Sequence, residues 1–117
     1  DGREVLLFGD MDQYVKAVGE KEFFASTQER QARGLTVKAL LFPNKMGQWM
    51  KDRPASEGRE VRFLKNMEPF VTSFQASTRT AFIMQPHSPL VLLIEDQFIV
   101  QMLRSIFMVF WKRAEKD

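Results

Sequence analysis

Apolar positions in the first third of the chain alternate between strand-like and helix-like spacing. The apolar run 4–8 predicts a buried strand, and Asp10 just after it is the expected cap of a helix. Helical spacing continues to Gly19, where the apolar positions restart out of phase, so two consecutive helices are predicted. The second should end near Arg33, and the apolar segment 35–42 then predicts a central parallel strand. Together these segments predict a strand–helix–strand unit.

Shorter apolar segments follow at closer spacing in the rest of the chain. A short helix is expected after its cap Asn44, and residues 59–65 alternate as a third strand. Between residues 71 and 95, three strand-like segments follow one another with turn-like residues between them, which predicts antiparallel ribbons. We therefore expect an α/β fold with a mixed sheet of about six strands, flanked by helices.

The last thirty residues hold the longest apolar pattern. Segment 90–94, LVLLI, has the length of a strand buried on both faces, and Asp96 is the expected cap of a C-terminal amphipathic helix. Apolar residues recur on this helix at spacings of three and four, at Phe98, Ile99, Met102, Leu103, Ile106, Phe107, Phe110 and Trp111. This face is expected to pack on the sheet, but the apolar surface is wider than one stripe, which favours some contact with another chain or domain. The candidate dimer-interface residues are Phe98, Met102, Met108 and Val109.

Composition narrows the class of protein. With 117 residues, of which 44% are hydrophobic and 27% charged, residues 1–117 are expected to form one globular domain. No apolar run reaches the about 18 residues of a membrane helix, so no membrane contact is expected. Cysteine is absent and no signal peptide is recognisable, which fits a cytoplasmic protein. The net charge of +2 does not indicate nucleic-acid binding by this segment.

A search for chemistry in the sequence finds no catalytic or cofactor motif. His87 is the only histidine and lies between two prolines in a predicted exposed turn, so one chain offers no multi-histidine metal site. No glycine-rich phosphate loop is present, and Ser88 lacks the glycines of a nucleophile elbow. No catalytic residue, metal or cofactor is therefore predicted.

Arginines around the third predicted strand are the most informative polar residues. The series formed by Arg53, Arg59, Arg62 and Lys65 is expected to lie on a solvated rim. Arg62 differs, because it stands inside the strand, where an enclosed guanidinium must find an acid or an anionic ligand. Its partner could be Glu60 or Glu95, in a structural role, or a bound ligand.

Three stretches, ERQARGLTVKALLFP, EGREVRFLK and LVLLIEDQFIVQMLRSIFMVFWK, resemble the C-terminal domain of TrmB-type transcriptional regulators. That effector domain is similar to a phospholipase-D-like half domain, and the likeness covers nearly the whole chain. It implies a sensor and dimerisation domain that binds a small effector, such as a sugar, and forms a homodimer. A DNA-binding winged helix-turn-helix is then expected before residue 1 in the full-length protein, and DNA contact only through that domain.

The resemblance also bears on catalysis. Active phospholipase-D-like enzymes use a His-x-Lys motif with a later aspartate, and the matching segment 69–76, PFVTSFQA, has none of these residues. The resemblance therefore implies a protein that is not an enzyme. The alternatives are a phosphodiesterase or nuclease completed by a partner chain, and a protein-interaction domain without an effector.

The effector site is expected where REVRF approaches TSFQASTRT, because this region matches the family's ancestral catalytic strand. Arg62 is the expected anchor, and its expected polar neighbours are Thr72, Ser73, Gln75 and Arg79. Trp49 is a further candidate, because it stands beside Gln48 and sugar sites pair aromatic rings with planar polar groups. The alternative role for Trp49 is to anchor the short helix in the core.

Overall fold

A computed structural model describes residues 4–88 and 90–114, which build an α/β architecture around one six-stranded sheet. In chain order the elements are β1 (Glu4–Gly9), α1 (Met11–Val18), α2 (Glu20–Ala32), β2 (Thr36–Leu41), α3 (Lys45–Asp52), β3 (Arg59–Phe63), β4 (Ser73–Ala76), β5 (Ala81–Gln85), β6 (Leu90–Ile94) and α4 (Gln97–Arg113). A short 3-10 turn, Ala55–Glu57, precedes β3. The predicted fold class, a mixed sheet of six strands with flanking helices, is confirmed.

The sheet joins a parallel half to an antiparallel half, in the order β3-β2-β1-β4-β5-β6. Strands β1, β2 and β3 are parallel because helices connect them, whereas β4, β5 and β6 follow one another as antiparallel ribbons. The two halves meet where β1 pairs antiparallel with β4, with Leu7 opposite Gln75. Strands β3 and β6 are therefore the two edges of the sheet.

The predicted helix caps are all formed. Asp10, Asn44 and Asp96 each accept a hydrogen bond from a backbone N–H in the first turn of their helix, at 2.9–3.0 Å. Gly19 separates α1 from α2 with φ of 93°, a value that glycine adopts without strain. The local signals for the helix boundaries are therefore confirmed.

Two apolar layers lie on opposite faces of the sheet, as the alternation along its strands requires. Helices α1, α2 and α3 cover one face, where the buried residues include Leu7, Ala39, Val61, Met11, Val15, Phe23 and Met50. Helix α4 covers the other face, where the buried residues are Leu6, Leu40, Leu64, Phe107 and Trp111. Val100, near the start of α4, packs with Ala76 and Ala81, so that end of α4 lies over β4 and β5.

The prediction that β6 is buried on both faces is wrong. This strand is an edge of the sheet, and its residues Leu90, Val91, Leu92 and Leu93 are 48–62% exposed. A short continuous apolar run has the composition of a buried central strand, and nothing local tells it apart from an apolar edge strand.

The apolar residues of α4 divide between the core and the surface. Leu103, Phe107, Phe110 and Trp111 pack against the sheet, as predicted. The other half of the predicted face does not, because Phe98, Ile99, Met102, Ile106 and Val109 are 45–70% exposed. We call these five residues together with 90–93 the α4–β6 surface. None of the helices in the described residues is long and apolar enough to span a membrane.

Candidate functional site

Arg62, the predicted anchor of the effector site, makes its contacts within the fold. Its Nη1 donates a hydrogen bond to the Trp111 carbonyl oxygen at 2.6 Å, and its Nη2 lies 3.4 Å from a Glu60 carboxylate oxygen. The guanidinium also stacks over the Trp111 ring, 4.2 Å from the ring centroid. Arg62 thus connects edge strand β3 to the last turn of α4. This is the structural role that was predicted as the alternative to ligand binding, with Glu60 as the acidic partner.

The predicted neighbours of Arg62 are not close to it. Strands β2 and β1 lie between β3 and β4, so about 14 Å separates these two strands, and the expected approach of REVRF to the ribbon is wrong. Ser73 is buried, and Gln75 accepts a hydrogen bond from Arg30 Nη2 at 2.9 Å. Both side chains lie on the sheet face opposite that of Arg62. Strand β4 pairs with β1, and Gln75 lies opposite Leu7, which belongs to the apolar layer under α1, α2 and α3. Thr72 is half-buried just before β4.

Arg79 lies instead beside the predicted dimer interface. It is exposed in the turn between β4 and β5 and lines a groove of about 790 Å³ that runs along α4. The groove also includes Phe98, Met108 and Val109, so one surface holds an effector candidate and three interface candidates. Met108 is partly buried against the core, whereas Met102 is 54% exposed.

Trp49 anchors α3 against α2 and also lies at the edge of a polar cluster. Its ring contacts Phe23 and Phe24 edge-to-face, with centroids 6.3 and 5.2 Å away. The Gln48 amide, the planar polar group expected beside Trp49, donates to Asp52 at 2.9 Å. The core role predicted as the alternative is therefore formed.

Two arginines that the sequence places on a solvated rim converge on Trp49. The guanidinium carbons of Arg53 and Arg59 lie 5.2 and 5.6 Å from its ring centroid. Glu57 links the two arginines, accepting from Arg53 Nε at 3.1 Å and from Arg59 Nη2 at 3.0 Å. Gln31 donates to the same carboxylate at 3.3 Å. The hydrogen bond from Arg53 lowers the pKa of Glu57 and raises the pKa of Arg53.

Arg59 is the most enclosed of these cations. Its side chain is 5% exposed, and its Nη1 is buried without a hydrogen-bond partner. Burial lowers the pKa of Arg59, Glu57 raises it, and the nearby charges of Arg53 and Arg30 lower it further. The period of two along β3 could have revealed this burial, because Arg59 shares a strand face with the core residue Val61.

Arg59 and Arg53 line two recesses. The smaller, of about 210 Å³, we call the Arg59 recess, and it is lined by Phe24, Thr27, Gln28, Gln31, Trp49, Arg53, Glu57 and Arg59. The larger, of about 650 Å³, lies along the N-terminal ends of β2 and β3 and includes Lys38 and Lys51. Two guanidinium groups and two amides line the smaller recess beside the Glu57 carboxylate, and guanidinium groups bind anions.

Residues that could bind a metal or act through histidine form no cluster in the part of the chain that the structure describes. There, no group of three or more histidine, aspartate or glutamate side chains is placed to hold a metal ion. His87 is exposed in the turn between β5 and β6, as predicted, and its backbone N–H donates to the Gln85 side chain.

Comparison with known proteins adds one structural relative. No protein-family model matches this chain, and no curated protein sequence matches it either. Among solved structures, it is similar to TrmBL2, whose structure is described as that of an archaeal chromatin protein with a novel mode of DNA binding. The TM-score is 0.65 at 22% identity, over 97% of this chain and 42% of that one. The likeness shows that the fold is TrmB-like, and the chain spans less than half the length of TrmBL2.

Proposed function

We propose that the chain is a regulatory and dimerisation domain of a TrmB-type DNA-binding regulator in the cytoplasm. The fold shared with TrmBL2, a protein described as DNA-binding, supports this class. In this proposal a winged helix-turn-helix outside the chain contacts DNA, because a net charge of +2 gives the domain little attraction for phosphates. The observation that carries the proposal is the α4–β6 surface.

The size of the α4–β6 surface matches what one partner of a stable dimer buries. Its nine apolar side chains are 45–70% exposed. Val91 and Leu93 lie on the sheet face away from α4, and the other seven, at roughly 100 Å² each, present about 700 Å², close to the ~800 Å² that each partner contributes to a standard interface. Monomers rarely leave so large an apolar area open to water.

A second copy of the chain fits this surface because both of its elements can pair with themselves around a two-fold axis. Strand β6 is an edge with unpaired backbone groups, and its sequence LVLLI lacks the charged residues and prolines that protect such edges. Helix α4 presents apolar residues on the side away from the sheet. We therefore propose a homodimer in which β6 and α4 of two copies come together.

The proposed role of the domain is to sense and not to catalyse. A small effector would alter how the two copies pair, and the paired domains would move the attached DNA-binding units. The segment that the resemblance matches to the nucleophile region of phospholipase-D-like enzymes, residues 69–76, includes β4 with its sequence SFQA and supplies neither histidine nor lysine. The domain is accordingly proposed to act by binding alone.

The dimer is tested with Ile106→Glu. Ile106 is 48% exposed on the outer side of α4, so a carboxylate there is tolerated in the monomer but is buried in the dimer. Two-fold symmetry introduces the charge twice, so sedimentation equilibrium should show the dissociation constant of the dimer raised at least about a hundredfold.

The matched control is Ser26→Glu, which makes the same change of charge at an exposed position of α2, on the sheet face opposite α4. It should leave the dimer intact. The proposal fails if the unmodified chain stays monomeric at high micromolar concentration, or if both variants dimerise equally well.

A further inference from the structure

We infer that the Arg59 recess is a binding site for a small phosphate-bearing molecule. The biological role of this site rests on the proposed regulatory function, because the recess would give the proposed effector a binding site and a chemical class. Its test does not depend on dimerisation, because the recess and the α4–β6 surface share no residue.

The first support is the state of Arg59. Within the described residues, the buried side-chain nitrogens and oxygens without a hydrogen-bond partner are Arg59 Nη1 and Arg62 Nε. Arg62 lies against Trp111 and lines neither arginine recess, whereas Arg59 lines both. Folded proteins satisfy almost all buried donors, and a donor on a cation is the costliest to leave unpaired. Nη1 has almost no surface open to water, so an oxygen of an anionic ligand would supply the missing acceptor after the side chains around it shift.

The second support is the charge around the recess. The charges of Arg53 and Arg30 are both near enough to act on Arg59, although Arg30 is not part of the recess lining, and the Glu57 carboxylate joins Arg53 to Arg59. This set carries an excess of positive charge. A phosphate monoester carries close to two negative charges at neutral pH and accepts several hydrogen bonds, so it matches these donors.

The third support is the size and lining of the recess. A volume of about 210 Å³ holds a phosphate group and a short organic part. The amides of Gln28 and Gln31 can bond to hydroxyl groups, and Phe24 and Trp49 offer apolar walls. The phosphates of duplex DNA are held on a rigid surface and cannot reach an arginine that is 5% exposed. A small molecule is therefore the ligand that matches this recess.

The experiment is isothermal titration calorimetry with inorganic phosphate and with glycerol phosphate, at constant ionic strength, alongside thermal unfolding. Arg59→Met should weaken binding of both probes about ten- to a hundredfold, the effect of losing a charge-assisted hydrogen bond. The unfolding midpoint without phosphate should fall, because the substitution also removes the hydrogen bond to Glu57 and the contact with Trp49, so binding is measured at a temperature where the variant is folded. A purely structural arginine would lower the midpoint and leave the affinity for phosphate unchanged.

The matched control is Arg62→Met, which removes another arginine of β3 that stacks over a tryptophan, but on the other sheet face. It should bind phosphate normally at a temperature where it is folded. Arg53→Gln, at a more exposed position, serves if Arg59→Met does not fold, and it should also weaken binding.

Two outcomes would overturn the inference. One is that the unmodified chain binds neither probe, or that Arg59→Met and Arg53→Gln bind as well as it does. The other is that a short DNA duplex displaces phosphate in an Arg59-dependent way, which would assign the site to nucleic acid. Sedimentation of the same samples separates the two proposals, since phosphate binding by a monomer would reject only the dimer.

Discussion

The contact between Arg62 and Trp111 should be a measurable part of the stability of the fold. It joins edge strand β3 to a carbonyl in the last turn of α4, a position where helices leave acceptors unpaired. Arg62→Met removes the guanidinium and keeps most of the side-chain volume. The perturbation therefore isolates the polar and cation–π contacts from simple loss of packing.

The magnitude follows from three contributions. A hydrogen bond from a cation at 2.6 Å contributes about 1.5–3 kcal/mol, and a mostly buried cation–π contact at 4.2 Å about 1–2 kcal/mol. Removing the buried unpaired Nε returns about 1 kcal/mol. The net loss is about 1.5–4 kcal/mol, or a fall of roughly 10 °C in the unfolding midpoint.

Urea unfolding followed by circular dichroism and by tryptophan fluorescence measures this loss. The control is Arg33→Met at the exposed end of α2, which should change the free energy of unfolding by less than about 0.5 kcal/mol. The reasoning is refuted if Arg62→Met is as stable as the control. Lost phosphate binding in a fully stable Arg62→Met variant would instead restore Arg62 as the anchor of the effector site.

Two further predictions concern a glycine and a carboxylate. Gly9→Ala should cost about 2–4 kcal/mol of unfolding free energy, because φ is 126° and the new Cβ would lie 2.5 Å from the Thr72 carbonyl oxygen. Gly19→Ala, also at positive φ but with open space around it, should cost only about 1 kcal/mol in the same urea titration. The folded-state pKa of Glu57 is lowered from 4.5, so its stabilising effect is present above that value and lost as pH falls through the lower folded pKa. Stability of the unmodified chain relative to Glu57→Gln should therefore decrease across that acidic range, and a difference independent of pH would contradict the pairing with Arg53.

Local features of the sequence were sufficient for the order and type of the elements. Asp10, Asn44 and Asp96 predicted helix starts correctly, because a cap depends on a side chain and a backbone N–H two or three residues away. The out-of-phase restart after Gly19 likewise predicted two helices. The mixed α/β class followed, since helical crossovers require parallel strands and short turns allow antiparallel ones.

Strand order and burial required the tertiary structure. The expected site brought together Arg62 and Gln75, but β2 and β1 lie between their strands and the two side chains are on opposite faces. Nothing local reveals this separation, because strand order depends on pairing between distant segments.

The same limit applies to β6, to α4 and to Arg59. An apolar run does not encode whether a further strand or helix will cover it, so LVLLI looked like a core strand although it is an edge. Conversely, Arg59 belongs to a charged segment, yet α3 and Trp49 enclose it once the chain folds. Burial is a property of the packed neighbours of a residue, and those neighbours come from elements that are distant in the sequence.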